Sequence, residues 1–159
     1  LLLELLPDVP AENRAALGKS IIHNHADAGF VSDHAALLAE AMTLLNKPDL
    51  AWVFDTGMAE VPISASIAEL GGQSITGIID RLILSNDTII AIDYKSNHLT
   101  PSNPADTPLG LVRQMAAYRD ALVQIYPTHR IKTAILWTKT GAFTELDDEM
   151  LDNALAQLS

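Results

Sequence analysis

Two runs rich in Ile and Leu, Thr76 to Leu84 and Thr88 to Lys95, are separated only by Ser85, Asn86 and Asp87, and this pattern restricts the fold more than any other. The runs have strand composition and the residues between them are turn formers, so the segment is predicted to be a β-hairpin. With Asn86-Asp87 as a two-residue loop, Ser85 opposes Thr88, every cross-strand pair has the same sum, and Asp80 falls opposite Asp93. Side chains alternate along a strand, which puts Lys95 on the face of Asp93. Opposed carboxylates repel unless a cation, a shared proton or water intervenes. Carboxylate oxygens are preferred ligands of Mg²⁺, which keeps several waters and binds one or two carboxylates plus substrate phosphate, so metal-assisted phosphodiester hydrolysis is one reading. A solvated edge hairpin with a surface Asp–Lys pair is the other, and the D-x-K tripeptide alone does not choose between them.

The rest of the chain gives that hairpin an α/β setting. Ala11 to His25 and Asp33 to Asn46 have helical periodicity, the second with Ser32 or Asp33 as N-cap and Pro48 closing it. Ala51 to Phe54 and Glu60 to Ala68 read as strands split by Asp55-Thr56-Gly57, and Gly71-Gly72 reads as a turn. Asn97 to Pro108 is a loop rich in Pro, Ser, Asn and Thr, placed where it can contact a substrate. Leu109 to Tyr126 is the clearest helix, with Gln114 and Tyr118 as i,i+4 neighbours on one face. Ile131 to Thr138 and Ala142 to Leu146 follow as strands around a Lys139-Thr140-Gly141 turn, and Asp147 to Leu158 as a helix. The expected architecture is one α/β domain over residues 1–159, a central mixed sheet flanked by helices. Glu60 is expected on a strand beside the hairpin, as a second-metal ligand, a partner for a basic residue or a solvated strand-end carboxylate.

Composition narrows the chemistry. There are no cysteines, which excludes disulfides, cysteine zinc sites and cysteine-held iron–sulfur clusters, so a metal would have oxygen ligands. No apolar run approaches the roughly 20 residues of a bilayer span, and neither membrane nor export is indicated. No Gly-rich phosphate loop, G-x-S-x-G or Cys-His nucleophile motif is present. His23 and His25, two apart on a helix, point to different sides and read as surface residues.

Gly77-Ile78-Ile79-Asp80-Arg81, Asp93-Tyr94-Lys95-Ser96 and Gln114-x-x-x-Tyr118, in that order and at those intervals, resemble the PD-(D/E)XK nuclease superfamily in its RecB-like branch. Within that branch, Leu3-Glu4-Leu5-Leu6-Pro7-Asp8-Val9-Pro10 and Ala59-Glu60-Val61-Pro62 resemble the C-terminal nuclease domains of the AddA family of bacterial helicase-nucleases. The resemblance implies a restriction-endonuclease-like core and a cytoplasmic, Mg²⁺-dependent DNA nuclease (Mn²⁺ as the substitute ion) that processes double-strand ends. It implies helicase domains in the same polypeptide as the users of ATP, and an AddB-like partner subunit. It also implies that Asp80, Asp93 and the Tyr94 carbonyl bind metal, that Lys95 assists the attacking water, and that Gln114 and Tyr118 support the site and the DNA backbone, with Ser96 and Arg81 beside it.

RecB-like nucleases carry a metal-binding His in a G-x-x-x-H setting ahead of a Leu-rich stretch like Leu1 to Leu6. None of His23, His25, His34, His98 and His129 matches it, which implies a first helix truncated before its ligand and weak cleavage by this chain alone. The net charge of −10, ten basic residues against twenty acidic, argues against free-standing DNA binding, since affinity comes largely from Lys and Arg on phosphates. A local basic path of Arg81, Lys95, Arg113 and Arg119 around the site is the compensating expectation; ordinary solvated surface is the alternative, above all for Arg119. The acidic surface leaves open a non-catalytic docking domain of the same fold. A restriction endonuclease or junction resolvase of the superfamily is a further possibility, opposed by the Gln114–Tyr118 pair and the flanking segments.

Overall fold

The computed structural model describes residues 1–25, 33–67, 73–97 and 99–157. The chain divides into two compact units, Leu1–Thr56 and Gly57–Ser159.

The first unit is helical: α1 (Leu2–Leu5), α2 (Ala11–Asn24), α3 (His34–Leu45) and α4 (Ala51–Asp55), the last preceded by a 3-10 turn at Pro48–Leu50. Arg14 ties the link between α1 and α2 by donating to the carbonyls of Pro7 and Val9. Gly18 lets α2 approach α3, since a Cβ there would lie 2.5 Å from Leu38 Cδ1. At the start of α3 the Asp33 carboxylate accepts from the Ala36 amide at 2.8 Å, the N-cap expected from its side chain, while Ser32 lies outside the described residues. The strand expected over Ala51 to Phe54 is instead α4. Trp52, Val53 and Phe54 have strand propensity, but Leu50, Val53 and Phe54 are the buried residues, and that i, i+3, i+4 spacing is helical.

The second unit holds a five-stranded mixed sheet, β1 (Met58–Ile67), β2 (Gln73–Leu84), β3 (Thr88–Lys95), β4 (Arg130–Trp137) and β5 (Ala142–Leu146), in spatial order β1-β2-β3-β4-β5. β3 and β4 are parallel and the other neighbours antiparallel, so the chain crosses between β3 and β4 through the 17-residue helix α5 (Leu109–Ile125). Helix α6 (Asp148–Ala156) closes the unit, capped by the Asp147 carboxylate on the Met150 amide. Val112, Met115, Ala116 and Leu122 of α5 and Leu151, Ala154 and Leu155 of α6 form one apolar core with Ile79, Leu82, Ile89, Ala91, Ile135 and Trp137 of the sheet. Apolar residues on α5 recur at helical spacing and those on the strands at near alternation, so the two periodicities meet at this interface. This is the restriction-endonuclease-like α/β arrangement expected from the sequence. The Gly71-Gly72 turn lies outside the described residues. No described helix is long and apolar enough to cross a membrane.

Candidate active site

The hairpin has the expected register. Arg81 pairs with Ile92, Leu82 with Ala91, Ile83 with Ile90 and Leu84 with Ile89, and Ser85 bonds Thr88 across the Asn86-Asp87 loop. The ladder ends one pair short of Asp80 and Asp93. Because Ser85–Thr88 is a hydrogen-bonded pair, alternation makes Arg81–Ile92 another, and the next Tyr94 N–H would go to the Ile79 carbonyl. It goes instead to the Asp80 carboxylate, with Oδ2 at 2.6 Å. β2 and β3 therefore fork at this point, with a carboxylate in the fork.

The other edge of β2 is loosened at the same place. The β1–β2 ladder pairs Ala59 with Arg81 and Val61 with Ile79 but skips Glu60 and Asp80 between them. Glu60 has φ of 51°, and among the described residues no other non-glycine has a positive φ. Ile79 and Leu82, three apart, both belong to the one apolar core, so the face alternation of β2 shifts between them, although the register is kept with one residue of each strand between the flanking pairs. Two residues along, Ile78 opposes Pro62, which has no N–H to give. The Ile78 carbonyl accepts from the Tyr118 hydroxyl instead, at 2.9 Å.

Tyr118 belongs to a chain of bonds that ends on Asp93. Gln114 Nε2 donates to Tyr118 Oη at 3.2 Å and to Asp93 Oδ1 at 2.9 Å. Lys95 Nζ lies 2.6 Å from Asp93 Oδ2, an oxygen that is buried and balanced by the ammonium rather than by an aligned hydrogen bond. Gly77 makes room for this support: a Cβ there would be 2.8–2.9 Å from the Tyr118 ring and hydroxyl. The Lys95 carbonyl accepts from the Thr138 amide on the β4 side. Since backbone groups alternate along a strand, the Tyr94 carbonyl points the other way, into the fork beside Asp80.

Burial raises the Asp80 carboxyl above its ordinary value of 3.8, the Tyr94 amide and Lys95 oppose the rise, and the negative charges of Asp93 and Glu60 add to it. Tyr94 is raised as well, by burial first, with Arg81 opposing and Asp80 and Glu60 contributing. The two strand carboxylates and Glu60 thus sit within electrostatic reach of one another, a crowding that a divalent cation relieves. No group of three His, Cys, Asp or Glu side chains close enough to hold a metal occurs among the described residues. The donor set, two carboxylates and a main-chain carbonyl, suits a hard ion that keeps much of its water shell, and Asp80, Asp93 and the Tyr94 carbonyl are the groups that would hold it.

The other expected site residues are placed differently from one another. Ser96 is exposed just beyond β3 and Glu60 is exposed on β1, opposite Asp80 in the register. Arg81 is 3% exposed and acts on Tyr94, so it is not on a surface presented to DNA. Arg113 donates to the Ala154 carbonyl, and Arg119 is paired with Asp120, Asp148 and Asp152. The expected basic path thus reduces to Lys95, because the three arginines are used inside the fold. The sequence pattern assigns no site role to Pro62 or to the backbone of Glu60, although a proline within a strand pattern signals a missing ladder bond.

No curated protein matches the chain. Comparison with protein-family models matches residues 3–156, nearly the whole chain and all of the fork, to the PD-(D/E)XK nuclease superfamily. Members of that superfamily are typically nucleases that use divalent metals, and the five-stranded sheet with its Asp-x-Lys strand is compatible with that chemistry. On fold and sequence together, the chain belongs to the PD-(D/E)XK nuclease superfamily.

Proposed function

We propose that this chain is the Mg²⁺-dependent DNA nuclease domain of a RecB-like, AddA-type helicase-nuclease that acts in the cytoplasm on double-strand ends, beside helicase domains and an AddB-like subunit. The observation that carries the nuclease reading is the arrangement of the carboxylates at the fork. Asp80 is oriented by the Tyr94 amide on Oδ2 and Asp93 by Gln114 on Oδ1, and the Lys95 ammonium stands against Asp93 Oδ2, where a positive charge is already needed to balance the paired carboxylates. When bound, Mg²⁺ or Mn²⁺ supplies Lewis acidity at the phosphoryl group and makes water a better nucleophile. The protein's own part is to orient the carboxylates through Tyr94 and Gln114. Lys95 positions the attacking water and offsets the charge that develops on the phosphoryl oxygens. The RecB-like and AddA-type assignment rests on the spacing of Asp80, Asp93, Lys95, Gln114 and Tyr118 and on the segments around Leu3 and Glu60.

Asp80→Asn, Asp93→Asn and Lys95→Ala are each expected to lower Mg²⁺-dependent cleavage of linear DNA by about a hundredfold or more. In the intact helicase-nuclease, ATP-driven unwinding should persist. Cleavage at the wild-type rate in all three variants defeats the reading. The net charge of −10 and the internal use of Arg81, Arg113 and Arg119 favour a second reading, a docking domain of the same fold; it predicts DNA or partner binding without Mg²⁺-dependent cleavage in the intact protein.

A further inference from the structure

We infer that Glu60 is a positioning residue that sets the site through its backbone: the positive-φ turn of β1 at Glu60 withholds a ladder bond from β2 and lets the Asp80 carboxylate reach across to the Tyr94 amide. This deepens the nuclease reading and rests on it for the role of Asp80, but the placement itself is a property of the metal-free protein.

Three observations meet at this point. Glu60 has φ of 51°, a conformation that costs an L-residue with a Cβ and persists only where the surroundings impose it. The β1–β2 pairing is continuous on both sides of Glu60 and absent at Glu60 and Asp80. Immediately across β2, the β2–β3 ladder stops and a side chain stands in for the Ile79 carbonyl as acceptor of the Tyr94 N–H. A β1 that stayed flat through Glu60 would pair with Asp80 and hold β2 in regular alternation. Asp80 would then project from the face of the sheet, as in any strand, and the Tyr94 amide would go to a backbone carbonyl. Pro62 acts in the same sense two residues along, withholding a bond from Ile78 and leaving that carbonyl to Tyr118. The strand at the edge of the sheet, with no ligand-bearing part of its own in this scheme, thereby orients both carboxylates, Asp80 by release and Asp93 by way of Tyr118 and Gln114.

The test separates the Glu60 backbone from its charge. Asn and Gly tolerate positive φ and remove the carboxylate, whereas β-branched Val disfavours positive φ. Two quantities are measured on the 159-residue chain: exchange of the Tyr94 amide by NMR without metal, and Mg²⁺ binding by calorimetry. Glu60→Asn and Glu60→Gly are expected to keep the Tyr94 amide protected and the Mg²⁺ dissociation constant within about threefold, whereas Glu60→Val is expected to speed exchange and weaken Mg²⁺ binding by about tenfold or more. Loss of Tyr94 protection in both the Asn and Gly variants overturns the proposal, because the carboxylate would then be the active part. Full protection in Glu60→Val overturns it equally. If the wild-type chain binds no Mg²⁺ while the amide pattern holds, the positioning stands and the metal-site reading fails instead.

Discussion

Asp80 is held in an arrangement that works against its own ionisation. Burial and the neighbouring charges of Asp93 and Glu60 raise its pKa despite the bond from the Tyr94 amide. A carboxyl raised on folding binds its proton more tightly in the folded state than in the unfolded. Stability therefore falls as pH climbs from the ordinary value of 3.8 through the raised one, and the full destabilisation is present above both. Asp80→Asn should accordingly unfold at a higher urea concentration than the wild type at neutral pH, with the difference shrinking towards about pH 3.5. Added Mg²⁺ should raise the wild-type midpoint and leave the Asn variant nearly unmoved. Urea titrations across that pH range, with and without the ion, check both, and a variant less stable than wild type at neutral pH contradicts the argument. The trade is one expected of functional sites, where stability yields to a charge arrangement that a ligand completes.

At the level of elements, α5 carries the support. Its Gln114 and Tyr118 link Asp93 on β3 to Ile78 on β2, and Gly77 gives the phenol its space. Tyr118→Phe removes the donor to the Ile78 carbonyl, which Pro62 cannot replace, and is expected to cost about 1–3 kcal/mol of stability. Gly77→Ala should cost a comparable amount, about 1–3 kcal/mol, by pressing a methyl against the ring. Chemical denaturation measures both, and a cost under a few tenths of a kcal/mol in each would remove the argument for the link. Much of this arrangement was legible in the sequence. The Ser85-Asn86-Asp87 turn between two apolar runs set the hairpin register, and the i,i+4 spacing put Gln114 and Tyr118 on one face. The end of the ladder at Asp80 was not legible, since it depends on a glutamate in a conformation its residue type does not favour. Nor was the burial of Arg81 or the pairing of Arg119 with α6, because a basic residue near a motif looks the same in sequence whether it faces solvent or the interior. At Ala51 to Phe54 a run of four residues was too short for its periodicity to outweigh strand propensity.

At the scale of the molecule, charge and site pull in opposite directions. Of the ten basic residues, Arg81 is buried, Arg119 is bridged by three aspartates, and Lys95 and Lys132 are paired with Asp93 and Glu145. Six remain, of which Lys19, Arg130 and Lys139 are exposed, against twenty acidic residues. Binding of single-stranded DNA by this chain alone should therefore depend weakly on salt, with a slope of log K against log salt shallower than about −3. Fluorescence anisotropy over a salt series measures it, and a steep slope would reveal a basic surface that the pairing pattern hides. The two compact units also carry one tryptophan each: Trp52 of α4 is 41% exposed, whereas Trp137 of β4 is fully enclosed with its indole N–H on Thr144. The chain thus contains two natural spectroscopic reporters of unlike environment. Red-edge emission and iodide quenching belong to the helical unit, and a blue, shielded band belongs to the sheet that holds the carboxylates, so melting of the two can be followed separately in one cuvette without a label.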